Sequence, residues 1–150
     1  MDFRLTEEQE MIRKSAHEFA VNEIQPFVRE WDRDMHFPAD VLHKAGELGF
    51  LGVLVPEEYG GAGLGYIEYI SIIEEIAKID PSVGLSVAAH NSLCTGHILQ
   101  YGSEEQKRKY LPMIASGKPD GVWCTGYSEP DAGSDFANLQ TRAERNGDEY

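Results

Sequence analysis

Apolar residues recur at helical spacing along most of the chain and change to a strand-like run only near its end. Ile12, Ala16, Phe19, Ala20, Ile24, Phe27, Val28 and Trp31 follow at steps of three, four and one, which lays one apolar stripe along a helix. Thr6 with Glu7, Glu8 and Gln9 forms a capping box, so that helix is expected to start there. Pro26 removes a backbone donor inside the pattern and predicts a kink near Asn22. A second helix opens at Pro38 and closes at Gly49, with Val41, Leu42, Ala45 and Leu48 on its inner face.

From Tyr66, the residues Ile67, Ile70, Ile73, Ile76 and Ala77 predict a third helix, stopped by Asp80-Pro81. The fourth, Ser82 to Tyr101, is apolar almost all round, as a central helix buried on several sides would be. Ser103-Glu104-Glu105-Gln106 is a second capping box; it opens a helix that Pro112 interrupts and Gly117 closes. Beyond Gly117 the period changes. Val122 to Tyr127 reads as a strand, Ser128 to Asp135 is dense in turn residues, and Leu139 to Arg145 reads as a strand entering an Asn146-Gly147 hairpin. The returning strand stops at Tyr150, three residues past its turn, which leads one to expect further chain beyond it.

Charge narrows the function. With 13 basic and 26 acidic residues the net charge is −13, which repels nucleic acid and anionic lipid. An anionic cofactor would therefore have to be gripped by backbone amides and hydroxyls in a specific loop. No apolar run approaches the ~20 residues of a membrane span. Cys94 and Cys124 stand apart in apolar segments and read as buried, reduced thiols of a reducing compartment. His17, His36, His43, His90 and His97 show no metal spacing and read as structural or substrate-lining.

Two glycine-bearing segments compete as ligand loops. Tyr59 to Gly65 has the look of a phosphate cradle, but Pro56 breaks the strand-to-turn step and Glu57 and Glu58 would face the phosphates, so it reads as a helix-to-helix connection. Trp123 to Asp135 offers hydroxyls at Thr125, Ser128 and Ser134 and free amides around Ala132 to Asp135. On those grounds alone it suits a ring edge or a phosphate-bearing ligand, and equally an ordinary surface turn.

The run Ser128-Glu129-Pro130-Asp131-Ala132-Gly133-Ser134-Asp135 resembles the signature of the acyl-CoA dehydrogenase family. Four further stretches resemble it in the same order: Phe3-Arg4-Leu5-Thr6-Glu7-Glu8-Gln9, Pro56 to Gly61, Gly102 to Lys107 with Tyr110-Leu111-Pro112, and Gly147 to Tyr150. The resemblance implies a mostly α fold, in which residues 1–118 form the helical amino-terminal domain and 119–150 the first strands of a β-barrel-like middle domain. It implies FAD as cofactor, with Thr125, Gly126, Tyr127, Ser128, Gly133 and Ser134 around the flavin. Ser134, Leu93 and His90 would meet the acyl-CoA, and the Asn91-Ser92-Leu93 turn would line the acyl tail.

By the same resemblance the reaction is α,β-dehydrogenation of a short- or medium-chain acyl-CoA to trans-2-enoyl-CoA, a step of fatty acid β-oxidation, with electrons passed to an electron-transfer flavoprotein. The family's catalytic glutamate lies in a carboxy-terminal bundle, so none of the acidic residues here is assigned that role. A homotetramer is implied for the full-length protein, in the bacterial cytoplasm in preference to a mitochondrial matrix. The alternatives are an acyl-CoA oxidase or a decarboxylating dehydrogenase of the same fold, or a non-catalytic helical module. Gly126 and Tyr127 stand where small or aliphatic residues are common in the family.

Overall fold

The structure, a computed structural model, describes residues 4–118 and 123–149. Among these it is mostly α: α1 (Glu7–Phe19), α2 (Val28–Asp34), α3 (Ala39–Glu47), α4 (Tyr66–Ile79), α5 (Pro81–Ala88), α6 (Thr95–Tyr101) and α7 (Glu104–Ala115). The capping box at Thr6 is formed, with Gln9 N–H donating to Thr6 Oγ1 at 3.2 Å and Thr6 N–H to Gln9 Oε1 at 2.9 Å. The predicted kink takes the form of a π-helical turn over Ala20–Ile24, closed by Gln25 N–H on the Ala20 carbonyl at 3.0 Å. A wider turn lets the chain leave α1 before Pro26, whose ring would clash with continued α geometry.

The principal core joins α1, α3, α4 and α5 through Ala16, Phe19, Ile24, Leu42, Leu51, Ile72, Ile76 and Val87. Phe19 meets Phe50 edge to face at 5.7 Å. Two expected faces need correction. Leu48 is exposed, because α3 ends at Glu47 and the chain turns away through Gly49 at φ 81°. On α4 only part of the expected stripe is buried: Ile76 faces inward and Ile73 packs partly against the core, but Ile67 and Ile70 are exposed, and Ser71, Ile72 and Glu75 share the inner face with Ile76. Apolar residues surround this helix, so periodicity alone could not say which side meets α1 and α5.

Glu75 is the unexpected member of the buried face. Its carboxylate accepts from Lys78 at 2.8 Å and lies 3.1 Å from His17 Nδ1 and 3.8 Å from Arg13. Burial pushes its pKa up, but the bonds to Lys78 and His17 outweigh that and hold it below the ordinary value. A buried charge persists only when paired in this way.

The predicted fourth helix is one helical run from Pro81 to Tyr101, interrupted by a π-helical stretch at Ala89–Cys94. Asp80 caps it, accepting from Ser82 N–H at 2.8 Å and Val83 N–H at 3.3 Å. Burial is confined to one side, at Val83, Val87, His90, Asn91, Cys94 and Thr95; Leu85 and Leu93 are exposed, so the expectation of burial all round is corrected. α7 keeps Pro112 within it rather than breaking there, and ends at Ala115, with Gly117 just beyond at φ 60°. A Cβ on Gly46 would sit 2.2 Å from Gly117 Cα, so both positions must be glycine for α3 to reach the end of α7.

The segment Tyr59–Gly65 folds back on the chain before it. Ala62, Gly63 and Leu64 donate their amides to the carbonyls of Gly52, Val55 and Val53 at 2.8–2.9 Å. Those amides are consumed by backbone, which agrees with a connection and leaves them unable to cradle a phosphate.

Residues 123–149 form no strand ladder among the described residues. Two isolated antiparallel bridges remain, Glu129 with Ala132 and Asn146 with Glu149, the latter turning through Gly147 at φ 66° as the hairpin signal predicts. A strand is stable only beside another that takes its amides and carbonyls, and these segments have none next to them here. Phe3 of the first matching stretch, Val122 at the head of the first predicted strand and Tyr150 at the end of the returning one lie outside the described residues.

Candidate functional site

A cavity of about 730 Å³ opens between the central helical run and the segment that follows α7. Leu93, Cys94, His97 and Ile98 form one wall; Trp123 to Tyr127, Gly133, Ser134 and Phe136 form the other. Five of the six cofactor candidates from the sequence, Thr125, Gly126, Tyr127, Gly133 and Ser134, are brought together here, with Leu93 opposite. Ser128 is exposed and does not line the cavity. The wall is largely apolar, Tyr127 standing edge-on to Phe136 at 5.1 Å, and its polar groups are few.

His90, expected to touch substrate, is buried instead. Trp123 N–H donates to its Nδ1 at 3.1 Å, so the ring proton sits on Nε2 and is given to the Ile114 carbonyl at 3.3 Å. Burial drives its pKa down, and the ring is neutral. His90 therefore joins α7 and the 123–127 segment to the central run, behind the cavity rather than in it.

The two cysteines also part company. Cys94 is buried with its Sγ 3.2 Å from Thr125 Oγ1, and burial pushes its thiol pKa up. Cys124, expected to be buried, is exposed, since the segment it lies on covers the helix from one side only.

The signature turn is built by its own residues. Glu129 and Ala132 exchange backbone bonds at 2.8 and 3.2 Å around Pro130-Asp131, a β-turn with proline where its fixed φ is favoured. The Glu129 carboxylate accepts from the amides of Gln140 and Thr141, both at 2.8 Å, and these bonds hold its pKa below the ordinary value. Gly133 and Ser134 follow directly and reach the cavity. Trp123, whose ring lies edge-on to Tyr110 at 5.6 Å, carries a buried Nε1 with no partner among the described residues. Sequence reasoning missed Cys94, His97, Ile98 and Phe136; His97 lies one turn beyond Leu93 and Ile98 one turn beyond Cys94, a spacing that could have found them.

Fold and cavity together define a helical unit with a cavity of hydroxyls and apolar side chains at its non-helical end. The family description "Acyl-CoA dehydrogenase, N-terminal domain" matches residues 6–118. The chain belongs to the acyl-CoA dehydrogenase family. It is 43% identical over 150 residues to the short-chain specific acyl-CoA dehydrogenase of Clostridium acetobutylicum, covering 100% of this chain and 39% of that protein. To the mitochondrial isovaleryl-CoA dehydrogenase of Pongo abelii it is 39% identical over 148 residues, 97% of this chain and 34% of the relative.

Among solved structures, a chain in that of the electron transferring flavoprotein of Acidaminococcus fermentans superposes with a TM-score of 0.93 at 44% identity, over 99% of this chain and 38% of its own. Butyryl-CoA dehydrogenase of Megasphaera elsdenii gives 0.87 at 35% identity, over 94% and 37%. The chain thus spans well under half the length of these relatives. No helix among the described residues is long and apolar enough to cross a membrane.

Proposed function

We propose that this chain is the amino-terminal part of an FAD-dependent enzyme that converts a short- or medium-chain acyl-CoA to the trans-2-enoyl-CoA. The observation that carries the reading is the cavity in which Thr125, Gly126, Tyr127, Gly133 and Ser134 meet across from Leu93. Residues 1–118 would be the helical domain and 119–150 the opening of the middle β-domain.

The residues suit a flavin ring. Ile98, Tyr127 and Phe136 offer apolar surface to its faces, and the hydroxyls of Thr125 and Ser134 can bond its edge or its side chain. Trp123 Nε1, a buried donor without a partner among the described residues, adds a group that a polar ligand atom would satisfy. Bound FAD would supply acceptance of the β-hydrogen as hydride. This chain's own share is to hold the ring, to support negative charge at its edge through hydroxyl donors, and to keep water from the apolar wall. The α-proton would go to a carboxylate of the carboxy-terminal bundle that the family possesses.

The names of the relatives in Clostridium and Megasphaera support a short acyl chain, and the likeness to a chain in the Acidaminococcus structure supports an electron-transfer flavoprotein as acceptor. A cytoplasmic homotetramer is the form we assign to the full-length protein. The test is direct: the purified intact protein should be yellow and should bleach on addition of butyryl-CoA. A protein that stays colourless with added FAD refutes the proposal.

A further inference from the structure

The π-helical stretch Ala89–Cys94 presents two groups, one turn apart, to alternate residues of the segment lining the cavity. His90 Nδ1 accepts from Trp123 N–H at 3.1 Å, and Cys94 Sγ lies 3.2 Å from Thr125 Oγ1. A π-helical turn leaves the α pattern at a cost, and such turns gather at functional sites. Side chains hold this one in place. Thr95 Oγ1 donates to the His90 carbonyl at 2.6 Å, and Asn91 Nδ2 donates to the carbonyls of Phe50 and Val87 at 2.8 and 3.0 Å. The side chains of Asn91 and Thr95 are thus committed to keeping one irregular turn.

We infer that His90 and Cys94 are positioning residues: from the π-helical turn they fix where Trp123 and Thr125 lie, and thereby set the cavity wall that would meet the flavin edge. The inference rests on the FAD reading above for its consequence, but not for its geometry. His90 acts as a two-sided strut, since its Nε2–H is anchored on the Ile114 carbonyl at the end of α7 while Nδ1 holds Trp123. Cys94 then orients the Thr125 hydroxyl, leaving its other side free for a ligand.

Paired variants of the intact protein separate positioning from bulk stability. His90→Asn keeps an acceptor near the place of Nδ1 and should retain the bond to Trp123; His90→Gln keeps a donor near the place of Nε2 and should lose it. Cys94→Ser keeps a hydrogen-bonding partner for Thr125, and Cys94→Ala does not. Hydrogen exchange at Trp123, read by mass spectrometry of overlapping peptides, should speed up about tenfold in His90→Gln and stay near wild type in His90→Asn.

The apparent dissociation constant for FAD should rise about fivefold in His90→Gln and in Cys94→Ala, and should recover in His90→Asn and Cys94→Ser. Equal exchange at Trp123 in both His90 variants overturns the inference, as does an FAD affinity that ignores all four substitutions. Should the wild type bind no FAD while exchange follows the expected order, the strut stands and the FAD reading falls.

Discussion

Truncating isoleucines on opposite sides of α4 tests the packing most sharply, because four of them lie on one helix in contrasting surroundings. Ile72 and Ile76 are fully buried against the core that joins α1, α3 and α5, whereas Ile67 and Ile70 are more than half exposed. Ile76→Ala removes buried methyl and methylene groups from a core cluster whose other members, Ala16, Phe19 and Val83 among them, are held by separate helices and can collapse only in part. The expected cost is about 3 kcal/mol, within the range of about 2 to 5 for such truncations. Ile70→Ala gives up little burial and gains about 0.4 kcal/mol of helix propensity, so it should fall within about 0.5 kcal/mol of neutral. Urea unfolding of the 150-residue chain, followed by circular dichroism at 222 nm, reads both. At this size about 3 kcal/mol corresponds to a fall in Tm of roughly 6 to 12 °C. Similar losses for Ile70→Ala and Ile76→Ala would refute the orientation of α4, as would a near-neutral Ile76→Ala.

Other outcomes follow from single groups. Asp80→Ala removes the acceptor for Ser82 N–H and Val83 N–H and should cost about 1 kcal/mol in the same unfolding experiment, with Asp80→Asn recovering most of it. His90 is held neutral by burial, with a pKa below its value of about 6.5 in the unfolded chain, so the unfolded state takes the proton first. Stability should be unaffected above that pH and fall as the pH drops below it, and His90→Asn should flatten that limb of a stability–pH curve. Glu75, whose pKa is lowered despite its burial, contributes stability present above about pH 4.3 and lost as the pH falls through its folded value; a curve lacking this second, more acidic decline contradicts the paired carboxylate. Leu93 lines the cavity, so Leu93→Ala should move the chain-length optimum of the intact enzyme upward while leaving flavin content unchanged, as measured by a series of acyl-CoA substrates.

Local chemistry is what the sequence alone determined. The capping boxes at Thr6 and Ser103, the stop at Asp80-Pro81, the left-handed glycines at 49 and 117 and the Asn146-Gly147 turn each depend on residues within a few positions of one another, so their bonds could be read from spacing. The signature around Ser128 to Asp135 was legible for the same reason, and it led to the right family.

Which faces meet was decided by tertiary structure. α4 is apolar on several sides, and only its seating against α1 and α5 set Ile72 beside Ile76 in place of Ile67 and Ile70 and buried Glu75 beside Lys78, Arg13 and His17. His90 read as a substrate contact because it adjoins the Asn91-Ser92-Leu93 turn, which resembles the part of the family that lines the acyl tail. Its partners, the Ile114 carbonyl and the Trp123 amide, lie 24 and 33 residues away, and no pattern on one helix encodes a bond to backbone so distant. The π-helical turn itself has no sequence signature, since it arises where side-chain bonds across the fold outweigh the regular i to i+4 ladder.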